Sequence, residues 1–222
     1  MKKYLAELLG TYSLVFCGTG AIVIHELFGN PDHVGIAFTF GLIVMAMIYA
    51  FGDISGAHIN PAVTISFFVA GRFAGKEIIP YIVAQLAGAL FASLSLHYLF
   101  PQSSGLGMTL PAGSPMQSFI LEIILSFILM QVILLVSQGS REKGILAGAA
   151  IGAIVLLEAM FAGPVSGASM NPARSIAPAI VSGQLQSIWI YMAAPVIGMI
   201  LASLVHRLLF TEKRTPIGLT KR

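Results

Sequence analysis

Residues 55–64 read SGAHINPAVT and residues 166–175 read SGASMNPARS. Six of the ten positions are identical, and the copies stand 111 residues apart in a chain of 222. Each sets an Asn directly before a Pro and ahead of a short apolar run. That is the signature of a helix start, with Asn60 or Asn171 as the cap and Pro61 or Pro172 at the first helical position, where no backbone N–H is needed. The helices so started, about 60–70 and 171–181, are too short to cross a bilayer.

The rest of the chain says that a bilayer is where they sit. Hydrophobic residues make up 57% of the sequence and charged residues 9%, with a mean hydropathy of +0.90. A soluble domain carries about 25% charged residues. Six segments have the ~20 apolar residues that a spanning helix needs: Tyr4–Ile24, Val34–Phe51, Ile78–Leu99, Met116–Val136, Gly144–Ala162 and Ile188–Leu209. The first is too long for a signal core and reads as a retained span. The two motifs fall between spans two and three and between five and six. Their apolar connections read as re-entrant segments, which are tolerated at membrane depth only where protein or pore water covers the backbone.

Charge gives the orientation. Lys2, Lys3, Arg72, Lys76, Arg141, Lys143, Arg207, Lys213, Arg214, Lys221 and Arg222 fall on one side of a six-span topology. By the positive-inside rule that side is cytoplasmic, with both termini. The loop around His25–His33 has no Lys or Arg, and Pro101–Pro115 has no charge. The twelfth basic residue, Arg174, stands alone on the outer half, inside the second motif. The net charge of +3 reflects topology, and nothing implies a nucleic-acid partner. Cys17 is the single cysteine, so no intrachain disulfide forms.

The repeat extends past the motif: residues 81–94 (YIVAQLAGALFASL) align without gaps on 191–204 (YMAAPVIGMILASL), and Glu7 is matched by Glu122. Three spans per half invert the second half relative to the first. The sequence thus predicts an all-α membrane protein. One transmembrane channel domain covers 1–222, built from inverted repeats 1–110 and 111–222, with six transmembrane helices and two re-entrant half-helices. The half-helix starts then meet near the midplane, each with roughly +0.5 charge at its N-terminus. Asn60 and Asn171 hold amide donors there. Such a centre repels cations and orients neutral hydrogen-bonding molecules.

The doubled Asn-Pro-Ala motif in two inverted three-span halves resembles the aquaporin, or major intrinsic protein, family across the whole chain. FAGPVSGASMNPARS (161–175) reads closest to its nodulin-26-like branch and bacterial relatives. The resemblance implies a central dipole constriction at Asn60, Pro61, Ala62, Asn171, Pro172 and Ala173. It also implies an outer selectivity filter of Phe40, Ala159, Ala168 and Arg174, and a homotetramer with one pore per subunit in the cell membrane. Narrow water-selective members are similar at the Phe but usually place His and a small polar residue where Ala159 and Ala168 stand. Two alanines widen the constriction. Glycerol-selective members typically have Asp after the arginine, whereas this chain has Ser175, and Ala179 resembles the water-channel branch. The reading is a passive water channel that also takes small neutral solutes such as glycerol, urea or uncharged metalloid acids, and that excludes ions and protons.

Glu7 and Glu122 resemble the family's buried glutamates that brace the re-entrant loops. Glu158, next to Ala159, braces the second loop, faces the pore or meets another subunit. His58 lines the inner vestibule with its ring against the second span, or acts as a pH gate. His25, Glu26, Asp32 and His33 form a solvated outer loop with no metal-ligand spacing. His97 and His206 are interfacial, and Trp189 and Tyr191 fit an interfacial belt. Gly10, Gly18, Gly88, Ala92 and Gly198 suit close helix packing. No nucleophile–base pairing points to an enzyme, and no cofactor or metal is implied. The rival reading is a secondary transporter, since inverted repeats with half-helices also build ion-coupled carriers.

Overall fold

The computed structural model describes residues 1–137 and 141–210, with the backbone alone over 141–144. Among these, eight α-helices follow in order: α1 (Lys2–Phe28), α2 (His33–Ser55), α3 (Pro61–Val69), α4 (Ile78–Leu99), α5 (Pro115–Val136), α6 (Arg141–Ser166), α7 (Pro172–Ser182) and α8 (Ile188–Phe210). A 3₁₀ turn at Gly75–Glu77 leads into α4. Six of the helices are long and apolar enough to cross a membrane. The short pair, α3 and α7, starts where the Asn-Pro signal puts it. Asn60 and Asn171 have extended backbone and accept from the N–H groups of Ala62 and Ala173 with their side-chain oxygens, at 2.9 and 3.0 Å.

Helix ends are set by local chemistry. Gly29, Gly56 and Gly183 close α1, α2 and α7 in the left-handed conformation that glycine adopts without penalty. Asp32 caps α2 by accepting from Gly35 N at 2.9 Å. The expected loop His25–His33 is therefore shorter than its sequence suggests: His25 and Glu26 belong to α1 and His33 opens α2.

The bundle pairs α1 with α4, α5 with α8, and α2 with α6. The half-helices cross over, α3 packing on α8 from the other half of the chain and α7 on α4, and the two also touch each other. Small residues let the long helices approach. A Cβ on Gly88 would collide with the carbonyl oxygen of Leu8 in α1, and one on Gly198 with that of Ile123 in α5. Gly41 and Gly152 form a reciprocal contact between α2 and α6, each Cβ falling 2.6 Å from the other's carbonyl oxygen. The outward faces carry exposed Leu5, Phe28, Val83, Ile120, Phe161 and Leu208, as lipid contact requires.

Call the end of the bundle that holds residue 1 the near end. Lys3 pairs with Glu77 there at 2.8 Å. Arg72 donates to Leu134 O and the Ser137 hydroxyl, and Arg207 donates to Val69 O at the end of α3. His206 is buried rather than interfacial, and its Nε2 accepts from Arg72 at 2.7 Å. The side chains of Arg141 and Lys143, and the whole of Lys213, Arg214, Lys221 and Arg222, lie outside the described residues. Trp189 is half-exposed beside Phe119. Tyr191 does not join it in a belt: it is fully buried and donates to Ser166 O at 2.7 Å.

The glycine contacts set a first test. Gly88→Leu forces α1 from α4 and should lower the thermal midpoint of the purified protein, by overpacking of about 1–3 kcal/mol or more. Gly52→Ala, with open space around its Cβ, should leave the midpoint unchanged or slightly higher. Equal behaviour of the two variants in a detergent melt would contradict this packing.

Candidate functional site

The two loops ahead of the half-helices are built alike. In the first, Gly56, Ala57 and Ile59 have φ of 87, 46 and 42°; in the second, Gly167, Ala168 and Met170 have 84, 40 and 52°. Four of these six are not glycine, and such residues pay roughly 1–2 kcal/mol each to sit there. A buried carboxyl holds each loop in this shape. Glu7 accepts from Ser55 Oγ (2.7 Å), His58 N (2.9 Å), Ile59 N (2.7 Å) and Gln85 Nε2 (2.7 Å). Glu122 accepts from Ser166 Oγ (2.8 Å), Ser169 N (2.8 Å) and Met170 N (2.9 Å). Both carboxyls are completely buried. Tyr81 donates to Ser55 O and Tyr191 to Ser166 O, fastening the start of each loop.

With the loops so turned, Ile59 O and Met170 O point at the opposite motif. Asn60 Nδ2 donates to Met170 O at 2.8 Å, and Asn171 Nδ2 to Ile59 O at 2.9 Å. One hydrogen of each amide is thereby used between the loops. One per Asn is left for the pore. Both Asn side chains line a cavity of about 820 Å³. Pro61, Ala62, Pro172 and Ala173 are buried behind the wall and begin the half-helices rather than facing the cavity.

That cavity runs from Tyr49, Asp53 and Ser137 near the near end, past His58 and Val63, to the two Asn residues, and on to Phe40, Ala159, Ala168 and Arg174. The structure thus brings all four expected filter residues to one cavity. Arg174 Nη1 donates to Gly107 O at 2.8 Å, and its guanidinium carbon lies 5.1 Å from the centre of the Phe40 ring, within cation–π reach. Gly107, at φ 69°, belongs to the far loop between α4 and α5; a Cβ there would meet Thr19. Phe40 in turn rests on Gly18 of α1, where any Cβ would collide with the ring.

His58 lines the cavity, and its ring stands beside Gly56 at the end of α2, where a Cβ would come within 3.3 Å of it. It lies against Phe67, Phe73 and Tyr81, with ring centres 4.7, 4.8 and 5.2 Å away, and Nδ1 is 3.1 Å from Thr64 Oγ1. Thr64 also accepts from Gln85 and donates to Asn60 O. In the second half a hydroxyl relay takes this place: Thr109 donates to Ser175, Ser175 and Ser169 are 2.5 Å apart, and Ser169 donates to Asn171 O. Glu158 is 1% exposed and lies within electrostatic reach of Glu122. Its carboxyl makes no hydrogen bond to the second loop among the described residues, does not line the cavity, and does not reach the surface. At the far end, Glu26 accepts from Ser103, Asp32 caps α2, and His33 Nε2 is 2.7 Å from Met160 O. No group of described residues could hold a metal.

Sequence reasoning missed Ser55, Ser166, Tyr81, Tyr191, Gln85, Ser169, Thr109 and Gly107. The first four had a signal, since each pair is identical at matching positions of the two repeats. Gly107 and Thr109 had none, because a loop without charge or pattern does not announce that it folds inward.

A family profile described as "Major intrinsic protein" matches residues 1–206. The chain is 47% identical over 216 residues to aquaporin NIP1-1 of Zea mays, covering 96% of this chain and 77% of that one. It is 45% identical over 216 residues to aquaporin NIP1-1 of Oryza sativa subsp. japonica, covering 96% and 76%. The solved aquaglyceroporin from Plasmodium falciparum superposes with a TM-score of 0.85 at 26% identity, over 92% of this chain and 94% of that one.

A second test concerns the Phe40 ring. Gly18→Val should drive the ring off α1 into the cavity and reduce water permeability per channel several-fold in stopped-flow light scattering, with insertion and yield maintained. Unaltered permeability would place Phe40 away from the conducting path.

Proposed function

The chain belongs to the major intrinsic protein family, and on that premise we propose how its pore selects. It is an integral membrane protein and a passive channel for water and small neutral solutes, not an enzyme. The selectivity filter is Phe40, Ala159, Ala168 and Arg174, and the central constriction lies at Asn60 and Asn171. The observation that carries this reading is Arg174, one of two charged side chains on the cavity wall among the described residues, anchored by Gly107 O and laid over Phe40. Its guanidinium offers hydrogen bonds to a hydroxyl or amide, while Phe40 and the two alanines offer an apolar wall to a carbon skeleton. Replacing an imidazole-sized group by a methyl at residue 159 leaves the room that glycerol, urea or an uncharged metalloid acid needs beyond a water molecule.

An ion-coupled carrier needs intramembrane charges free to bind and release an ion. Glu7 and Glu122 are taken by seven hydrogen bonds to their loops and neighbours, and neither lines the cavity. The single-domain reading, with inverted repeats 1–110 and 111–222, is supported by the matched bonding of the two loops. Lys3, Arg72 and Arg207 gather at the near end, which supports a cytoplasmic near end with both termini there and, by family resemblance, a homotetramer in the cell membrane. Glutaraldehyde crosslinking in mild detergent should give a ladder ending at four subunits; a ladder ending at one would refute the tetramer.

The filter assignment is tested by osmotic assays on proteoliposomes with water, glycerol, urea and boric acid side by side. Flux should be non-saturating and indifferent to proton or sodium gradients. Placing His at Ala159 with Thr at Ala168 should cut glycerol flux more than water flux, and Arg174→Ala should raise solute flux several-fold. A wild-type protein that conducts water but not glycerol, urea or boric acid overturns the widened filter.

A further inference from the structure

Ala159 is carried by α6, and five residues farther along the same helix contains Pro164. Proline has no N–H, so the carbonyl four residues back loses its helical partner. That carbonyl is Met160 O, adjacent to Ala159. A shielded backbone carbonyl left unpaired is costly, and here another group meets it. The group is His33, the first residue of α2, whose Nε2 lies 2.7 Å from Met160 O. Because a carbonyl oxygen only accepts, Nε2 carries the hydrogen.

Two neighbouring residues fit this contact. Gly163 lies under the ring, and a Cβ there would come within 2.7 Å of His33 Cε1, so a larger residue next to the proline would push the imidazole away. Asp32 caps α2 through Gly35 N and fixes the backbone from which His33 projects. Seven residues on, two turns along the same helix, α2 presents Phe40 to the cavity. One side chain therefore bonds the helix that carries Phe40 to the break in the helix that carries Ala159.

We propose that His33 is a positioning residue of the constriction: its imidazole supplies the hydrogen bond that Pro164 removes and so fixes the spacing between Phe40 and Ala159. This rests on the filter reading above. The first residue of α2 thereby acts on selectivity without contact with the permeating molecule.

The test is a double-mutant cycle of His33→Ala and Pro164→Ala in proteoliposomes, read as the ratio of glycerol to water permeability. That ratio does not depend on how many channels insert. His33→Ala alone should shift it about fivefold, the equivalent of a net hydrogen bond of ~1 kcal/mol. With alanine at residue 164 a backbone N–H returns to Met160 O, and the effect of His33→Ala should fall below about twofold. His33→Gln, which keeps a donor, should restore most of the wild-type ratio. An unchanged ratio in His33→Ala overturns the proposal, as does an equal shift in both backgrounds or a failure of Gln to rescue. Ala159→His run in parallel separates the two readings. If it moves the ratio and His33→Ala does not, the clasp is wrong while the filter stands. If Ala159→His leaves the ratio unchanged, the filter reading fails and the proposal falls with it.

Discussion

Everything at the centre of this channel hangs on two carboxyls that never see the pore. Glu7 and Glu122 take the N–H groups of the loops ahead of α3 and α7 and so hold four non-glycine residues at positive φ. A hydrogen bond to a charged or strongly polar acceptor contributes about 1.5–3 kcal/mol, the same order as the backbone strain at each residue. The turned loops aim Ile59 O and Met170 O at the opposite asparagines, whose amides close the junction. The positions of both half-helix starts follow from those bonds. Without the carboxyls, the loop N–H groups would be buried with no partner in a medium that supplies none.

The near-symmetry makes its departures informative. The 81–94 and 191–204 segments align, yet Gln85 stands where the second half has Pro195. Gln85 bonds both Glu7 and Thr64, so the first half braces its loop with an amide and the His58 ring. The second half uses the smaller relay from Thr109 through Ser175 and Ser169. Two serines fill less space than a histidine and a threonine, and the far loop fills the difference by folding in with Gly107 and Thr109. That loop supplies the carbonyl that anchors Arg174. Ser175, a departure from the glycerol-selective pattern, is part of this relay and is fully buried. Its role is to hold the loop rather than to meet a solute.

Local signals survived translation into structure better than azimuthal ones. The caps at Asn60 and Asn171 and the six spans could be read because capping and hydropathy act over a few neighbouring residues. What could not be read was which face of each helix turns inward. In a bilayer both the lipid face and the protein face are apolar, so the periodicity that marks a soluble helix is washed out. In α5, Ile120 and Ile124 face outward while Leu125 and Leu134 are fully buried, and nothing in the residue types separates them. The same blindness put Tyr191 and His206 at an interface. The Gly41–Gly152 contact and the His33–Met160 bond need two helices in register, which pattern within either helix does not contain.

The arrangement also separates two kinds of selectivity. Each half-helix start carries roughly +0.5 charge, and Arg174 adds a full one beside Phe40. Glu7 and Glu122 point their acceptors into the loops and offer the cavity none of their lone pairs. A cation moving inward from the far end therefore meets first Arg174 and then the paired helix starts, at a depth where the low dielectric magnifies both. Nothing in that barrier depends on the width of the wall opposite Arg174. In the filter we propose, the side chains at residues 159 and 168 set how large a neutral molecule passes, while the backbone and Arg174 set whether charge passes. On that proposal, two alanines open the pore to bulkier solutes while the electrostatic exclusion of ions stays in place.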